Sequence, residues 1–182
     1  MKIAEEIKRF FLECRVKDML MPSRSFPKYF QELQHRVISA HSELDVDMLV
    51  RILAEIRFEA GDVLSNEAWI KINLVIQHSL EQISYMFKIS IIKAYGDVSD
   101  DLENALVKVN TYRNEFVHPK VSFLLQKYNN KTAKGRIELR NLTRAIKRAQ
   151  DLFLDHAEKS KAVNYYIKKQ IEISEAKKKS KK

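Results

Sequence analysis

Glycine, proline and cysteine are scarce in this chain of 182 residues, which contains 3 Gly, 3 Pro and 1 Cys. So few helix breakers argue against a turn-rich β protein and favour long, uninterrupted helices. The single cysteine, Cys14, excludes a disulfide framework within the chain and indicates a reducing compartment. Cys14 lies on the apolar side of a helical pattern, where a small core side chain is its expected role.

Long apolar runs are also missing, since no stretch approaches the ~18 residues that a membrane-spanning helix needs. The first eight residues are charged and amphipathic, and they lack the apolar stretch of a signal peptide. We therefore predict no membrane contact and a cytoplasmic location. The sequence has no Gly-rich phosphate loop, no Cys cluster and no metal-ligand spacing, so neither a metal site nor a cofactor is predicted.

Positive charge is in excess, with a formal net charge of +9. This favours an anionic partner such as nucleic acid. Part of the excess is local, because five of the last six residues are lysines. Such a run is typical of a solvated tail. We predict a single helical domain over residues 1–175 and a basic, disordered tail over residues 176–182.

Helical spacing of apolar residues covers almost the whole chain, and no strand-like alternation longer than a few residues occurs. The sequence therefore predicts an all-α bundle of five to seven helices. The expected helices span about 3–21, 27–44, 45–64, 67–95, 100–118 and 121–128, and a last region of one bent helix or two spans 136–175. Pro119 disfavours helical backbone in the residue before it, so we expect a break at His118.

The helix before Pro119 carries an arginine where its apolar spacing calls for a core residue. Leu102, Leu106, Val109 and Phe116 form one stripe, and Arg113 lies on or beside it. The simplest interpretation is that Arg113 extends to the rim or pairs with a carboxylate of a neighbouring helix. Asn114 and His118 are four residues apart and share a helix face, so a break at His118 would let all three side chains face one cleft.

These three side chains match the chemistry of RNA cleavage by 2′-hydroxyl attack. A histidine can move a proton near neutral pH, and an arginine can stabilise negative charge on the phosphoryl oxygens. Asn114 could orient either group by hydrogen bonding. One chain supplies only one such histidine, so a site with a separate acid and base would need two copies. A symmetric homodimer is the expected assembly.

The pattern Arg113-Asn114, three residues, His118 on a late helix of a small all-α protein resembles the HEPN superfamily (higher eukaryotes and prokaryotes nucleotide-binding). The resemblance implies a HEPN-like helical bundle and a homodimer whose two motifs meet in one cleft. It also implies a metal-independent endoribonuclease of a toxin–antitoxin or antiviral defence system, with an antitoxin or defence protein as partner. Arg113 and His118 match the catalytic pair, and Asn114 matches the polar position after the arginine.

One position departs from that pattern. Some family members carry a tyrosine two residues after the histidine, where a partner enzyme modifies it, whereas this chain has Lys120. Silencing by that route is therefore not expected. A lysine beside the motif instead fits contact with the RNA backbone.

A run of basic residues opens the last helical region. Arg136, Arg140 and Arg144 step by four and form one stripe, which Lys147 and Arg148 continue. A solvated helix face is one interpretation. The other is an RNA-binding track that leads to the cleft.

Two functions remain open from the sequence. The first is the metal-independent endoribonuclease described above. The second is a non-catalytic helical module that binds RNA, a nucleotide or a protein, in which Arg113 stabilises the bundle through a buried ion pair. The four other histidines, His35, His41, His78 and His156, are interpreted as surface or internally satisfied side chains.

Overall fold

A computed structural model describes residues 27–96, 98–117 and 121–179 of the chain. Within these ranges the chain is helical, without a strand, which confirms the predicted all-α class. The expected helix over 3–21 lies outside the described residues. The seven described helices are α1 (Lys28–Ala60), α2 (Asn66–Glu81), α3 (Tyr85–Ala94), α4 (Asp100–Val117), α5 (Val121–Lys127), α6 (Ala133–Lys159) and α7 (Lys161–Lys179).

Helix α1 is one continuous element of 33 residues, so the predicted division near Asp45 is wrong. No glycine or proline occurs between Pro27 and Gly61, and nothing in that stretch interrupts the helix. The Pro27 carbonyl accepts the first hydrogen bonds of the helix. At the other end Gly61 has a φ of +52° and leaves the helical path, and the Arg57 guanidinium donates to its carbonyl at 3.2 Å.

The predicted single helix over 67–95 is two helices, because α2 ends at Glu81 and α3 begins at Tyr85. The cause is Ser84, whose hydroxyl accepts a hydrogen bond from the Phe87 backbone N–H at 3.2 Å and caps α3. The break changes which side chains point inward. Phe87, which continues the apolar spacing of α2, is 56% exposed, whereas Ile89 is buried.

Helix α4 begins where the sequence predicts. Gly96 adopts a φ of +88° after α3, and the Ser99 hydroxyl caps α4 by accepting from the Leu102 N–H at 3.2 Å. The described part of the helix runs to Val117. The short helix α5 begins at Val121, as expected. The predicted break at His118 itself lies outside the described residues.

The last helical region is two helices, with Ser160 between α6 and α7; its hydroxyl caps α7 by accepting from the Val163 N–H at 3.2 Å. Helix α6 starts with an unusually close approach of backbone to backbone. A Cβ added to Gly135 would lie 1.9 Å from the carbonyl oxygen of Asn129, so only glycine fits there. Helix α7 runs to Lys179 and thus includes residues 176–179 of the segment predicted as a tail.

The described residues form two compact units. The first comprises the described part of Met1–Val46 together with the described part of Ser99–Phe153, and its core includes the packed, mutually tilted rings of Phe30, Phe116 and Tyr128. The second comprises Asp47–Val98 and the described part of Leu154–Lys182, with Trp69 fully buried. Since α1 and α6 each supply residues to both units, one domain over residues 1–175 stays a prediction.

Candidate functional site

Arg113 lies at the edge of the buried face of α4, one position beyond the core side chain Tyr112. The exposure of Tyr112 is 8%, whereas Arg113 is half-buried. The spacing of the buried residues explains this arrangement, because the stripe passes through position 112 before it reaches Phe116. The buried residues of α4 are Leu102, Ala105, Leu106, Val109, Tyr112 and Phe116.

The Arg113 guanidinium is oriented by its neighbour in the motif. Its Nη1 donates a hydrogen bond to the Asn114 Oδ1 at 3.0 Å. Asn114 is exposed, so this pair is accessible at the last turn of α4. A guanidinium next to the buried face is less hydrated than one in open solvent, and its interaction with an anion is correspondingly stronger. The remaining motif residues, His118 and Lys120, lie outside the described residues.

Asn110 lies one turn before Asn114 on the same side of α4, and it contacts a second histidine. Its Oδ1 is 3.2 Å from the Nε2 of His41, which is 7% exposed and belongs to α1. His41 is thus an internally satisfied histidine, as interpreted from the sequence. The contact joins residues that are 69 positions apart, so helical spacing alone gave no signal for it.

The opposite side of α4 carries a polar cluster that the sequence did not reveal. The Lys127 ammonium donates to both carboxylate oxygens of Glu115 at 2.9 Å, and the Tyr128 hydroxyl donates to one of them at 2.9 Å. Burial raises the pKa of Tyr128, and the hydrogen bond to the Glu115 carboxylate raises that pKa further. The Tyr128 hydroxyl therefore stays protonated and remains a donor at neutral pH.

Aromatic packing holds the end of α4 in the first unit. The Phe116 ring lies 5.4 Å from that of Phe30 and 5.3 Å from that of Tyr128, measured between centroids. The Gln34 side chain, 7% exposed, donates from Nε2 to the Phe116 carbonyl at 3.1 Å. This bond gives a carbonyl of the last described turn of α4 a side-chain partner. Arg113 and Glu115 therefore extend from a fixed segment.

The predicted basic stripe is on the outer face of α6. Arg136, Arg140 and Arg144 are all exposed, and the buried residues Leu142 and Ala145 point the other way. Arg136 also donates to the carbonyl oxygens of residues 130 and 131, at 3.4 and 3.2 Å, and so contacts the preceding loop.

Arg148, at the end of the same stripe, pairs with Asp101 of α4 at 3.0 Å between Nη2 and Oδ2. Its charge is thus partly compensated.

The three other histidines of the described residues have ordinary structural roles. His35 and His78 are exposed, and His156 accepts a hydrogen bond from Arg51 at 3.3 Å. The described ranges contain no group of three or more His, Cys, Asp and Glu side chains that could hold a metal ion. Nor is any helix in the part of the chain that the structure describes both long and apolar enough to cross a membrane.

Comparison of the chain with known protein families, with curated protein sequences and with solved structures finds no match.

Proposed function

We propose that this protein is a metal-independent endoribonuclease of the HEPN type. In this proposal Arg113 binds the scissile phosphate and stabilises the charge that develops on its oxygens. His118 transfers the proton between the 2′-hydroxyl and the leaving 5′-oxygen. Asn114 orients the arginine.

The observation that carries the proposal is the hydrogen bond from Arg113 Nη1 to Asn114 Oδ1 at 3.0 Å. A guanidinium that a neighbouring amide holds in place needs less reorganisation when it binds a phosphate. Arg113 is half-buried, so its guanidinium is less hydrated than one in open solvent. Asn114 is exposed, so a phosphate can approach the pair from solvent. These are the properties that a phosphate-binding arginine requires.

A homodimer is part of the proposal. The motif of one chain supplies a single histidine, whereas cleavage with separate acid and base steps uses two proton-transfer groups. Two copies related by a twofold axis would bring two motifs together. We propose that the RNA substrate lies across this shared cleft.

The exposed cations of α6 suit contact with an RNA backbone. We propose that Arg136, Arg140, Arg144 and Lys120 contact phosphates outside the cleft, which would make affinity dependent on salt concentration. The resemblance to HEPN proteins further suggests a role as a toxin or antiviral effector, controlled by an antitoxin or another defence protein. In cells, we expect expression of the wild-type protein to be toxic to bacteria and His118→Ala to relieve this toxicity.

The direct test is cleavage of RNA by the purified protein in the presence of EDTA. Wild-type protein is expected to cleave, and His118→Ala to show no cleavage. Arg113→Lys keeps the charge but loses the planar fork of donors, and a loss of about a hundredfold in kcat is expected. His78→Ala, which removes an exposed histidine of α2, is the matched control and should retain full activity.

Two results would contradict the proposal. Equal cleavage by wild-type protein and His118→Ala would show that any activity has another source. Binding of RNA by the wild-type protein without cleavage, unaffected by His118→Ala, would favour the second function, a non-catalytic helical binding module.

A further inference from the structure

Exposed apolar side chains are unevenly distributed between the two units. Among the described residues fourteen large apolar side chains are exposed, and only Phe123 and Ile137 of these belong to the first unit. The other twelve belong to the second unit. Four of them lie on α2: Ile70, Ile72, Leu74 and Val75. One exposed apolar residue needs no explanation, but a group of them on one helix indicates an interaction surface.

The middle of α2 is both exposed and uncharged. Leu74 and Val75, in the middle turn of the helix, are 68% and 67% exposed. The buried residues of α2 are Trp69 and Leu80, so helical geometry directs Leu74 and Val75 away from the core of their unit. Residues 72–80 include no Asp, Glu, Lys or Arg, although these types make up 31% of the chain. The apolar pair therefore lies in a stretch without charge.

We infer that α2 binds α2 of a second copy of this chain, in a twofold contact centred on Leu74 and Val75. The net charge of +9 makes copies of the protein repel each other, and an uncharged stretch is where two copies can meet with the least repulsion. A nucleic acid, an acidic protein or an anionic membrane surface would be bound by cations, and residues 72–80 offer no lysine or arginine for this purpose.

Charges at the two ends of α2 favour an antiparallel arrangement of the paired helices. Lys71 lies in the first half of the helix, where it pairs with Glu67 at 3.2 Å, and Glu81 is the last residue. A parallel pair would place each of these charges beside the same charge of the other copy. An antiparallel pair brings Lys71 toward the end that bears the partner's Glu81, so an ammonium lies between carboxylates. The two helix dipoles are then also antiparallel.

This contact does not depend on the proposed function. All of its residues belong to the second unit, whereas Arg113 and Asn114 belong to the first. Self-association through α2 therefore requires neither RNA nor cleavage, and it can be measured on the full chain alone.

The first experiment measures mass by sedimentation over a range of protein concentrations, where wild type should associate into pairs. Leu74→Glu and Leu74→Lys each bring two like charges together, and each should weaken the association by about a hundredfold or more. An equal mixture of the two variants sets a carboxylate against an ammonium and should associate again. Ile137→Glu changes a residue of the first unit that is 49% exposed, and this control should behave as wild type. Circular dichroism verifies that each variant is folded.

A cross-linking experiment locates the contact. Cys14→Ser removes the only cysteine of the chain and provides the background for new ones. In that background Leu74→Cys should be joined to a second copy by a short bifunctional maleimide, because the two side chains meet near the twofold axis. Ile137→Cys, the matched control, should stay a single chain.

Two results would overturn the inference. One is a wild-type protein that stays a single chain over the concentration range and gives no cross-link at position 74, which leaves this face to a different partner. The other is a dimer that persists in Leu74→Glu and lacks the cross-link, since it must use another surface, such as the motif in the proposed function. Absence of RNA cleavage, by contrast, would remove the proposed function and leave the contact through α2 intact.

Discussion

Arg51 and Glu55, one helical turn apart in α1, form an ion pair whose side chains are only 4% and 12% exposed. The Arg51 Nε also donates to the Nε2 of His156 at 3.3 Å. Burial of an arginine is costly unless its donors have partners, and here a carboxylate and an imidazole provide them. This pair belongs to the second unit.

Loss of either partner should therefore destabilise the protein strongly. Glu55→Ala leaves a buried guanidinium without its carboxylate, and we expect the free energy of unfolding to fall by about 3–5 kcal/mol. The measurement is the midpoint of urea unfolding. Glu67→Ala is the control, since Glu67 pairs with Lys71 in α2 at 82% and 75% exposure and should cost less than about 1 kcal/mol. Equal midpoints for the two variants would contradict this prediction.

Removal of charge from the basic face should reduce the salt dependence of RNA binding. Suppose that Arg140 and Arg144 each contact one phosphate of single-stranded RNA. Replacing both with glutamine should then reduce the magnitude of the slope of log K against log salt concentration by about 1.4, which is about 0.7 for each contact. Binding titrations over a range of salt concentrations measure this slope. The matched control replaces Lys161 and Lys168, two exposed cations of α7. A slope reduced equally in both variants would argue against a specific track on α6.

Stability should decrease at alkaline pH, and Tyr166 is one of the tyrosines responsible. Burial raises the pKa of Tyr166 from its usual 10.0 to about 12, although a hydrogen bond with Gln170 acts in the opposite direction. Below pH 10 the Tyr166 phenol is protonated in both the folded and the unfolded protein, and its contribution to stability is complete. Above it the unfolded chain loses its proton first, so this contribution falls as pH rises from about 10 to about 12.

Urea unfolding across this alkaline range tests that expectation. Tyr166→Phe should make the decrease of stability with pH less steep, whereas Tyr95→Phe, which changes a tyrosine that is 42% exposed, should leave it unchanged. Identical curves for wild type and Tyr166→Phe would show that other groups are responsible.

The fold class could be predicted because breakers are so few in this sequence. Pro27 and Gly61 bound α1, and Gly96 and Ser99 mark the end of α3 and the start of α4. The errors occur where local chemistry competes with spacing. Asp45 is an acidic residue of the kind often found in the first turn of a helix, but nothing at that position stops the preceding helix. At Ser84 a helix cap interrupts the helix, although the apolar spacing continues through that position.

The site was predictable only in part. Spacing predicts Arg113 on or beside the buried face of α4, and the structure places it beside that face. By contrast, the bond between Glu115 and Lys127 spans 12 residues and the contact between His41 and Asn110 spans 69. Both depend on how separate helices pack, and a helical repeat within one segment carries no information about that.

The contact between Gly135 and Asn129 has a practical consequence for engineering. Exchanging a glycine for alanine inside a helix ordinarily increases stability by about 1 kcal/mol. At position 135 the added methyl group would collide with a carbonyl oxygen at 1.9 Å, so the loop before α6 would have to move outward. A thermostability design that replaces every helical glycine with alanine would therefore reduce stability at this position.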